Sequence, residues 1–329
     1  MIIVRTPFRV SFAGGGTDLP SYYNVRGFGA VISAAIQKYT YIILHPKFDS
    51  RIRVFHYDGS ELAADASAVD HEYFRAALLE KGVNSGVELA VISDVPGRGT
   101  GLGSSASLTV GLLHALADHL GEKNADPYEL ARMACHVEID TLQSPVGKQD
   151  QYAVAVGGLN FMRFHSDDTV DVEPIAIDHN VSRTLQRRLL AFHTGISRKT
   201  TDILQHYARE DEGLLHSLDR IRDQAFEMRD LLQRSDLDGF ARLLNEGWLA
   251  KRALSSHIST PVIDRAYEKA MAAGALAGKL CGAGGGGFLL VYAEEKKQPA
   301  VRAALSDMAE MEVAFDSQGT QTVLMEGRP

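Results

Sequence analysis

The feature that most constrains this chain is a glycine-rich loop between a predicted strand and a predicted helix. Residues 86–92 are aliphatic and β-branched, which is typical of a strand. From residue 107, leucine and alanine recur at helical spacing until Gly121, which ends the predicted helix. The free N–H groups and the dipole of a first helical turn attract anions, so the sequence predicts a phosphate-binding loop. The residues of this loop are Pro96, Gly97, Arg98, Gly99, Thr100, Gly101, Leu102, Gly103, Ser104, Ser105 and Ala106.

Two common nucleotide-binding motifs do not fit this loop. A Walker A loop ends in Gly-Lys-Ser/Thr, whereas this loop ends in Gly103-Ser104-Ser105 without a lysine. Its glycines also miss the G-x-G-x-x-G spacing of dinucleotide-binding folds. Either serine hydroxyl is expected to cap the helix or to ligate Mg²⁺. A plain helix cap after a loop is the alternative.

Two further glycine-rich segments lie near the ends of the chain. Residues 2–12 predict a strand that runs into Gly14-Gly15-Gly16-Thr17-Asp18. This turn either approaches a ligand closely or is a β-turn closed by Asp18. The run Gly282–Gly287 matches G-x-G-x-x-G formally, but it precedes a predicted strand, so dinucleotide binding is discounted. It is expected to pack beside a ligand or against another loop.

Two carboxylates downstream of the phosphate-binding loop are candidates for the chemistry. A predicted helix begins with Asp126 as N-cap and Pro127 in its first turn, and it runs to about Leu142. Glu138 on this helix has apolar neighbours one turn away on both sides, so its burial calls for a functional reason. The alternatives are a solvated helix residue for Glu138 and a helix cap for Asp150.

The rest of the chain alternates between the two element types. Residues 152–164 are expected to return to a strand, and residues 189–195 to form a short buried one. Residues 200–250 predict amphipathic helices, and Thr260-Pro261 predicts the start of another helix.

The composition excludes several classes of protein. The formal net charge of −8 argues against nonspecific nucleic-acid binding, which needs a basic face. Two cysteines far apart in sequence argue against a disulfide framework and fit a reducing compartment. No run of 18 apolar residues appears, and Arg5 interrupts the N-terminus before a signal-peptide core can form. We therefore expect a cytoplasmic protein without nucleic-acid or membrane partners, and leave open whether it is a homo-oligomer.

The three glycine-rich segments, in this order, resemble those of the GHMP kinases. The family's signature contains G-L-G-S-S-A after a proline, as does the run that ends at Ala106. Within the family, the chain most resembles the D-glycero-D-manno-heptose 7-phosphate kinases. The cues are R-T-P-F-R-V-S-F-A-G-G-G-T-D at 5–18, G-K-Q-D-Q-Y-A at 147–153 and H-T-G-I-S-R at 193–198.

The resemblance implies an α+β fold, the two-domain GHMP kinase fold, with the active site between the domains. Its N-terminal domain is ribosomal protein S5 domain 2-like and its C-terminal domain is ferredoxin-like. A composition shift near 180–190 predicts that the domains span residues 1–184 and 185–329.

The implied reaction uses ATP and Mg²⁺. It transfers the γ-phosphoryl group to the anomeric hydroxyl of heptose 7-phosphate and gives the 1,7-bisphosphate for nucleotide-activated heptose synthesis. The alternatives are a kinase for another alcohol such as fucose or mevalonate, and a non-catalytic sugar or nucleotide sensor on the same fold.

The resemblance also implies roles for individual residues. Asp150 accepts or orients the proton of the sugar hydroxyl. Arg9 stands where mevalonate kinases carry a lysine, and it holds phosphate or braces Asp150. Lys148 lowers the pKa of this aspartate or touches phosphate. The expected metal ligands are Glu138 and Ser104 or Ser105.

A phosphorylated substrate also requires a cationic pocket for its own phosphate. Arg198 and Lys199 are the candidates, with Lys251 and Arg252 as weaker ones; each is more often an ordinary surface charge. Galactokinases carry Gly-Glu-His-Thr-Asp where this chain has Gly14–Asp18, which argues against galactose. The residues expected to contact the substrate are Gly14, Gly15, Gly16, Thr17, Asp18, Gln149, Arg198, Lys199, Gly284 and Gly285.

Overall fold

The computed structural model describes residues 1–97, 99–122, 125–196 and 212–326, and the structural statements below concern these residues. They form an α+β fold with one sheet of eight strands and one of four. The strands are β1 (Ile2–Ala13), β2 (Phe28–Pro46), β3 (Ile52–His56), β4 (Gly59–Ala63), β5 (Val87–Ser93), β6 (Leu159–His165), β7 (Val170–Pro174), β8 (Leu189–His193), β9 (Ala277–Leu280), β10 (Phe288–Tyr292), β11 (Ala309–Met311) and β12 (Gln321–Met325). The helices are α1 (Pro20–Arg26), α2 (Glu72–Glu80), α3 (Ser104–Leu120), α4 (Pro127–Cys135), α5 (Gln149–Val156), α6 (His179–Arg188), α7 (Glu212–Gln233), α8 (Leu237–Ala253), α9 (Pro261–Ala272) and α10 (Gln298–Ala304).

The larger sheet is built around β2, which pairs with three other strands. Its first half pairs with β6 and its second half with β5, while β1 follows it along most of its length. The strand order is β12-β1-β2-β5-β3-β4, with β7 beyond β6, and β3 and β5 are the parallel pair. Helix α3 packs on β1 and β2. The backbone N–H of Arg9 on β1 donates to the carbonyl of Leu102 at 2.9 Å, so the loop before α3 is fixed to this strand.

The smaller sheet is antiparallel, in the order β11-β8-β10-β9. The described residues form three hydrophobic cores. The smallest packs the smaller sheet against α9 and α10, and the two larger ones hold the sheets together with their other helices. One contains Phe74 and Leu112 beside Trp248, and the other contains Phe8 and Phe161 beside residues of the smaller sheet. Both larger cores therefore draw residues from the first and the second half of the chain.

The boundary between residues 184 and 185 stays a prediction. Strands β1–β7 precede it and β8–β11 follow it, so each sheet is drawn mostly from one side. The last strand, β12, returns to the larger sheet and pairs with β1.

The expectation of a strand over residues 152–164 is wrong in its first half. Residues Gln149–Val156 are helical, and β6 begins at Leu159. Tyr152, Ala153 and Val154 are all buried, and an apolar run without exposed positions has no period that separates helix from strand.

The helix expected up to about Leu142 changes its winding on the way. Its α-helical part ends at Cys135, and His136–Thr141 continues as a π-helical stretch. Such stretches often mark functional sites, and this one carries Glu138.

Candidate active site

The predicted phosphate-binding loop lies at the N-terminus of α3. Gly103 is the N-cap, with φ +78° and no side-chain cap, so the expectation of a serine cap is wrong. The hydroxyl groups of Thr100 and Ser104 lie 2.7 Å apart and hydrogen-bond each other instead. Among the residues that the structure describes, the first N–H groups of α3 therefore have no side-chain cap, as an anion site requires.

The loop residues divide between a cleft and the protein interior. The cleft has a volume of about 610 Å³. Leu102 and Ala106 are fully buried in the two larger cores, whereas Pro96 is exposed and does not line the cleft. Arg98 lies outside the described residues. The loop residues that line the cleft are Gly97, Gly99, Thr100, Gly101, Gly103, Ser104 and Ser105.

Arg9 and Asp150 form a bidentate ion pair that faces the phosphate-binding loop. The Arg9 Nε and Nη2 atoms donate to the two carboxylate oxygens of Asp150 at 2.8 and 2.7 Å. The Nη1 atom donates to the Gly101 carbonyl at 2.6 Å. A Cβ atom added at Gly103, the N-cap of α3, would lie 3.5 Å from Asp150 Oδ2, so this carboxylate lies beside the N-terminus of α3. The side chain of Arg9 is only 4% exposed and that of Asp150 is 24% exposed, which leaves the aspartate open to the cleft.

Asp18 closes the N-terminal glycine turn and fixes the start of α5. Its Oδ1 atom accepts from the Gly16 N–H at 2.9 Å and from Gln149 Nε2 at 3.0 Å. Burial raises the pKa of Asp18, and the negative charge of Asp150 raises it further. Thr17 donates to the backbone carbonyl of Gly14, so this residue supports the turn from behind. The turn thereby presents its glycine backbone to the cleft beside the aspartates.

Glu138 is a fully buried carboxylate on the wall of the same cleft. Among the described residues, no group makes a hydrogen bond of acceptable geometry to either of its oxygens. Burial raises its pKa to about 7, and the charge of Asp150 acts in the same direction. The nearby side chains of Ser105, Gln151 and Thr109 oppose this shift without reaching hydrogen-bond geometry.

These residues fit a magnesium ion. A buried carboxylate with two unpaired oxygens is costly unless a cation binds it. Ser104 and Ser105 line the cleft with Glu138. The described residues contain no cluster of three or more His, Cys, Asp or Glu side chains that forms a complete metal cage. One carboxylate together with hydroxyl and phosphate oxygens is the arrangement that Mg²⁺ takes in kinases.

The C-terminal glycine run packs directly on the phosphate-binding loop. Gly101 and Gly282 have φ angles of +72° and +70°. A Cβ atom added at Gly282 would lie 2.5 Å from the Gly101 Cα atom, and one added at Gly101 would overlap the Cys281 carbonyl oxygen. The N–H of Phe288 donates to the Thr100 carbonyl at 3.1 Å. The run therefore forms a main-chain contact with the loop, which we call the glycine seam.

Some predicted site residues lie away from the cleft. The Lys148 ammonium group donates to Asp168 Oδ1 at 2.6 Å, and Lys148 does not line the cleft. Gly284 and Gly285 also lie outside its wall, and both pack against the backbone of Ile258. Arg198 and Lys199 lie outside the described residues.

Several cleft residues were missed by the sequence analysis, and Lys279, Gln151 and Trp248 among them carry buried polar groups. Lys279 stands in the buried strand before the glycine run and donates to the carbonyls of Ser11 and Phe12. A lysine inside an otherwise apolar strand was the signal for it. The amide of Gln151 and the indole of Trp248 also line the cleft, and Gln151 Oε1 and Trp248 Nε1 have no hydrogen-bond partner among the described residues. The sequence marked Trp248 only as part of a helical region.

The chain matches two family models. The model of the GHMP kinases N terminal domain matches residues 68–158, and the model of the GHMP kinases C terminal domain matches residues 228–310. Among the helices that the structure describes, none has the length and hydrophobicity of a membrane-spanning segment.

Curated and solved relatives agree with these models. The chain is 32% identical to D-glycero-alpha-D-manno-heptose 7-phosphate kinase of Campylobacter jejuni, covering 90% of this chain and 91% of that one. It is 27% identical to a galactokinase of Pyrococcus furiosus, with 92% of each chain covered. The crystal structure of a D-glycero-D-manno-heptose 1-phosphate kinase from Bacteroides thetaiotaomicron superimposes with a TM-score of 0.81 at 25% identity, over 99% of this chain and 100% of that one. The predicted family and its α+β fold are thus confirmed, and this chain belongs to the GHMP kinases, among which it is a sugar kinase.

Proposed function

We propose that this sugar kinase transfers the γ-phosphoryl group of ATP to the anomeric hydroxyl of D-glycero-D-manno-heptose 7-phosphate. The products are the 1,7-bisphosphate, a precursor for nucleotide-activated heptose, and ADP. The observation that carries the proposal is the Arg9–Asp150 ion pair, whose carboxylate faces the cleft beside the N-terminus of α3. The choice of sugar follows the relative with 32% identity, which is a heptose 7-phosphate kinase.

The proposed chemistry assigns one task to each part of the cleft. The ATP phosphates lie along the glycine loop and the first turn of α3, where N–H groups and the helix dipole favour their charge. The anomeric hydroxyl lies beside Asp150, which accepts its proton as the oxygen attacks the γ-phosphorus and the bond to the ADP oxygen breaks. Arg9 holds the carboxylate in position through two hydrogen bonds. In this proposal Lys148, which bonds Asp168, only supports the loop before α5.

The proposed metal site follows from the fit described above. Glu138 would hold Mg²⁺ together with Ser104 or Ser105. When bound, the ion neutralises charge on the ATP phosphates. Titrating Mg²⁺ into wild type and Glu138→Gln tests this, because the variant is expected to need a higher concentration for half-maximal rate.

The substrate contacts stay proposals as well. Gly14, Gly15 and Gly16 present backbone to the sugar, while Thr17 and Asp18 hold the turn and Gln149 binds Asp18. We assign the substrate's own phosphate to Arg198 and Lys199. Gly284 and Gly285 pack against Ile258 rather than lining the cleft, so we assign them to the support of the glycine seam and not to contact with the substrate. The two free, buried thiols of Cys135 and Cys281 fit a cytoplasmic location.

A substrate panel with coupled ADP detection tests the proposal. We expect ATP- and Mg²⁺-dependent turnover of heptose 7-phosphate at C1, and kcat/KM values at least about 100-fold lower for fucose, galactose and mevalonate. Heptose 1-phosphate belongs in the panel because it carries its phosphate at the proposed acceptor position. Preference for any other acceptor would refute the substrate assignment. ATP binding without turnover across the panel would favour a sensor.

A further inference from the structure

The cleft holds more positive charge than the proposed chemistry uses. Three arginine or lysine side chains among the described residues line it, namely Arg9, Lys251 and Lys279. The glycine loop ends without the lysine that a Walker loop places on the terminal phosphates of the nucleotide. A cation for the γ-phosphoryl group therefore has to come from elsewhere in the fold.

Two of the three cations are already occupied by the protein. Each of the Nε, Nη1 and Nη2 atoms of Arg9 donates a hydrogen bond, to Asp150 or to the Gly101 carbonyl. Lys279 is 8% exposed, and its ammonium group donates to the carbonyls of Ser11 and Phe12. Described residues accept hydrogen bonds from three of the five Arg9 N–H groups and from two of the three Lys279 N–H groups, and both side chains are nearly buried, so neither is open to a ligand.

Lys251 differs because it combines unused donors with exposed surface on the cleft. Its ammonium group has three N–H bonds, of which one meets the Gly282 carbonyl oxygen. The structure shows no other hydrogen bond from Lys251 to a described residue. The side chain is only partly buried and lines the cleft, so a bound anion can reach it.

The position of Lys251 points to the nucleotide. Its partner Gly282 forms the glycine seam with Gly101 of the phosphate-binding loop. Burial lowers the pKa of Lys251 to about 8, and the positive charge of Arg9 lowers it further, while Asp18 and Asp150 act in the opposite direction. Lys251 lines the same cleft as the aspartate proposed to receive the proton. A bound phosphoryl group would favour the charged form of Lys251.

We propose that Lys251 is a catalytic residue whose ammonium group binds the oxygens of the γ-phosphoryl group during its transfer. It stands in for the lysine that the glycine loop lacks, and it forms and breaks no covalent bond itself. The inference rests on the proposed use of ATP as phosphoryl donor, but not on the identity of the sugar. It also separates Lys251 from the substrate's own phosphate.

The test compares nucleotide affinities without an acceptor. Calorimetric titration of ATP and ADP in the presence of Mg²⁺ is carried out on wild type, Lys251→Met and Lys251→Arg. We expect Lys251→Met to lose about fivefold or more of the preference for ATP over ADP, because ADP lacks the γ-phosphate. Lys251→Arg retains charge and is expected to keep part of the preference. Circular dichroism at the assay temperature confirms that each variant is folded.

The kinetic arm uses the best acceptor of the substrate panel. We expect Lys251→Met to lower kcat by about 10²–10³-fold at saturating acceptor. Arg242→Met is the matched control, since Arg242 lies on the same helix with a side chain that is 65% exposed and does not line the cleft, and its kcat is expected to stay within about twofold.

Two results would overturn the proposal. One is an unchanged ATP-to-ADP affinity ratio in Lys251→Met. The other is a rise in KM confined to phosphorylated acceptors, with kcat intact at saturation, which would assign Lys251 to the acceptor's phosphate. If wild type does not phosphorylate heptose 7-phosphate, the substrate assignment fails, and the nucleotide titration still decides the role of Lys251.

Discussion

Glu138 is a buried carboxylate that makes no hydrogen bond to a described residue, so its charged form is unfavourable in the ligand-free protein. Its pKa is raised to about 7 from 4.5 because the side chain is fully buried. Between pH 4.5 and about pH 7, the Glu138 carboxyl is deprotonated in the unfolded chain but still protonated in the folded protein, so the stability of the fold decreases as the pH rises. Above pH 7 the folded state bears the charge at a cost of up to about 3 kcal/mol.

Replacing this carboxylate should therefore stabilise the ligand-free protein in a pH-dependent way. In EDTA, we expect Glu138→Gln and wild type to unfold at similar denaturant concentrations at pH 5. At pH 8 the variant should be more stable by about 1–3 kcal/mol. Asp140→Asn is the control, since that side chain is 65% exposed and should show no such gain. Identical pH profiles for Glu138→Gln and wild type would contradict this account of the buried charge.

The second residue-scale prediction concerns Asp150. Asp150→Asn keeps the shape of the side chain but removes its ability to accept a proton, so kcat is expected to fall by about 10²–10⁴-fold. Steady-state kinetics with ATP and the preferred sugar measure this, with Asp140→Asn again as control. A variant with wild-type kcat would remove Asp150 from proton transfer.

At the scale of elements, the glycine seam lets the loop before α3 and the run after β9 approach as backbone against backbone. Gly282→Ala adds a Cβ atom at positive φ where only 2.5 Å separates it from the Gly101 Cα atom. We expect Gly282→Ala to lower the free energy of unfolding by about 1 kcal/mol for the strain of positive φ and by about 1–3 kcal/mol for the overlap. We also expect it to raise the KM for ATP. Denaturant titration and kinetics measure the two effects.

Gly82→Ala is the matched control for the seam. Gly82 has a φ of +66°, close to that of Gly282, but nothing lies within 4 Å of an added Cβ atom. Its variant should bear the strain of positive φ alone and keep the KM for ATP. Equal losses of stability in the two variants would show that the overlap at the seam costs nothing.

The elements could be predicted where their sequence pattern had a single period or a clear end signal. Helix α3 after its glycine loop and helix α9 with its Thr260 cap and proline are such cases. Part of helix α5 was mistaken for a strand because its buried apolar run has no exposed positions that would reveal a helical period. Gly157 ends this helix with a φ of +75°, but the sequence does not show that it adopts this angle. The serine cap of α3 was wrong because Gly103 takes that position.

The sequence predicted those residues of the candidate site that belong to local motifs. Glu138 and Asp150 both line the cleft that the glycine loop forms. Tertiary packing decided the rest: Lys148 turns to Asp168, while Lys251 comes from α8 to the same cleft. The sequence alone does not show which lysine or arginine side chain enters a cleft formed by residues more than a hundred positions earlier in the chain.

At the scale of the whole molecule, the two halves of the chain share their cores. Trp248 packs in a cluster with residues of α3, while strand β12 returns from the C-terminus to pair with β1. We therefore expect one cooperative unfolding transition, in which Trp248 fluorescence and far-ultraviolet circular dichroism coincide. Trp248 is the single tryptophan of the chain, so the fluorescence reports this junction alone. Two separated transitions would show that the halves unfold independently.

The contact between Gly101 and Gly282 also limits how the enzyme can move. Side chains that meet across a cleft can slide or repack, but two α-carbons without substituents leave nothing to rearrange. We therefore expect the phosphate-binding loop and the glycine run to keep their spacing when the small sheet moves relative to the large one. Lys251, whose ammonium group donates to the Gly282 carbonyl, should keep its distance from the loop as well.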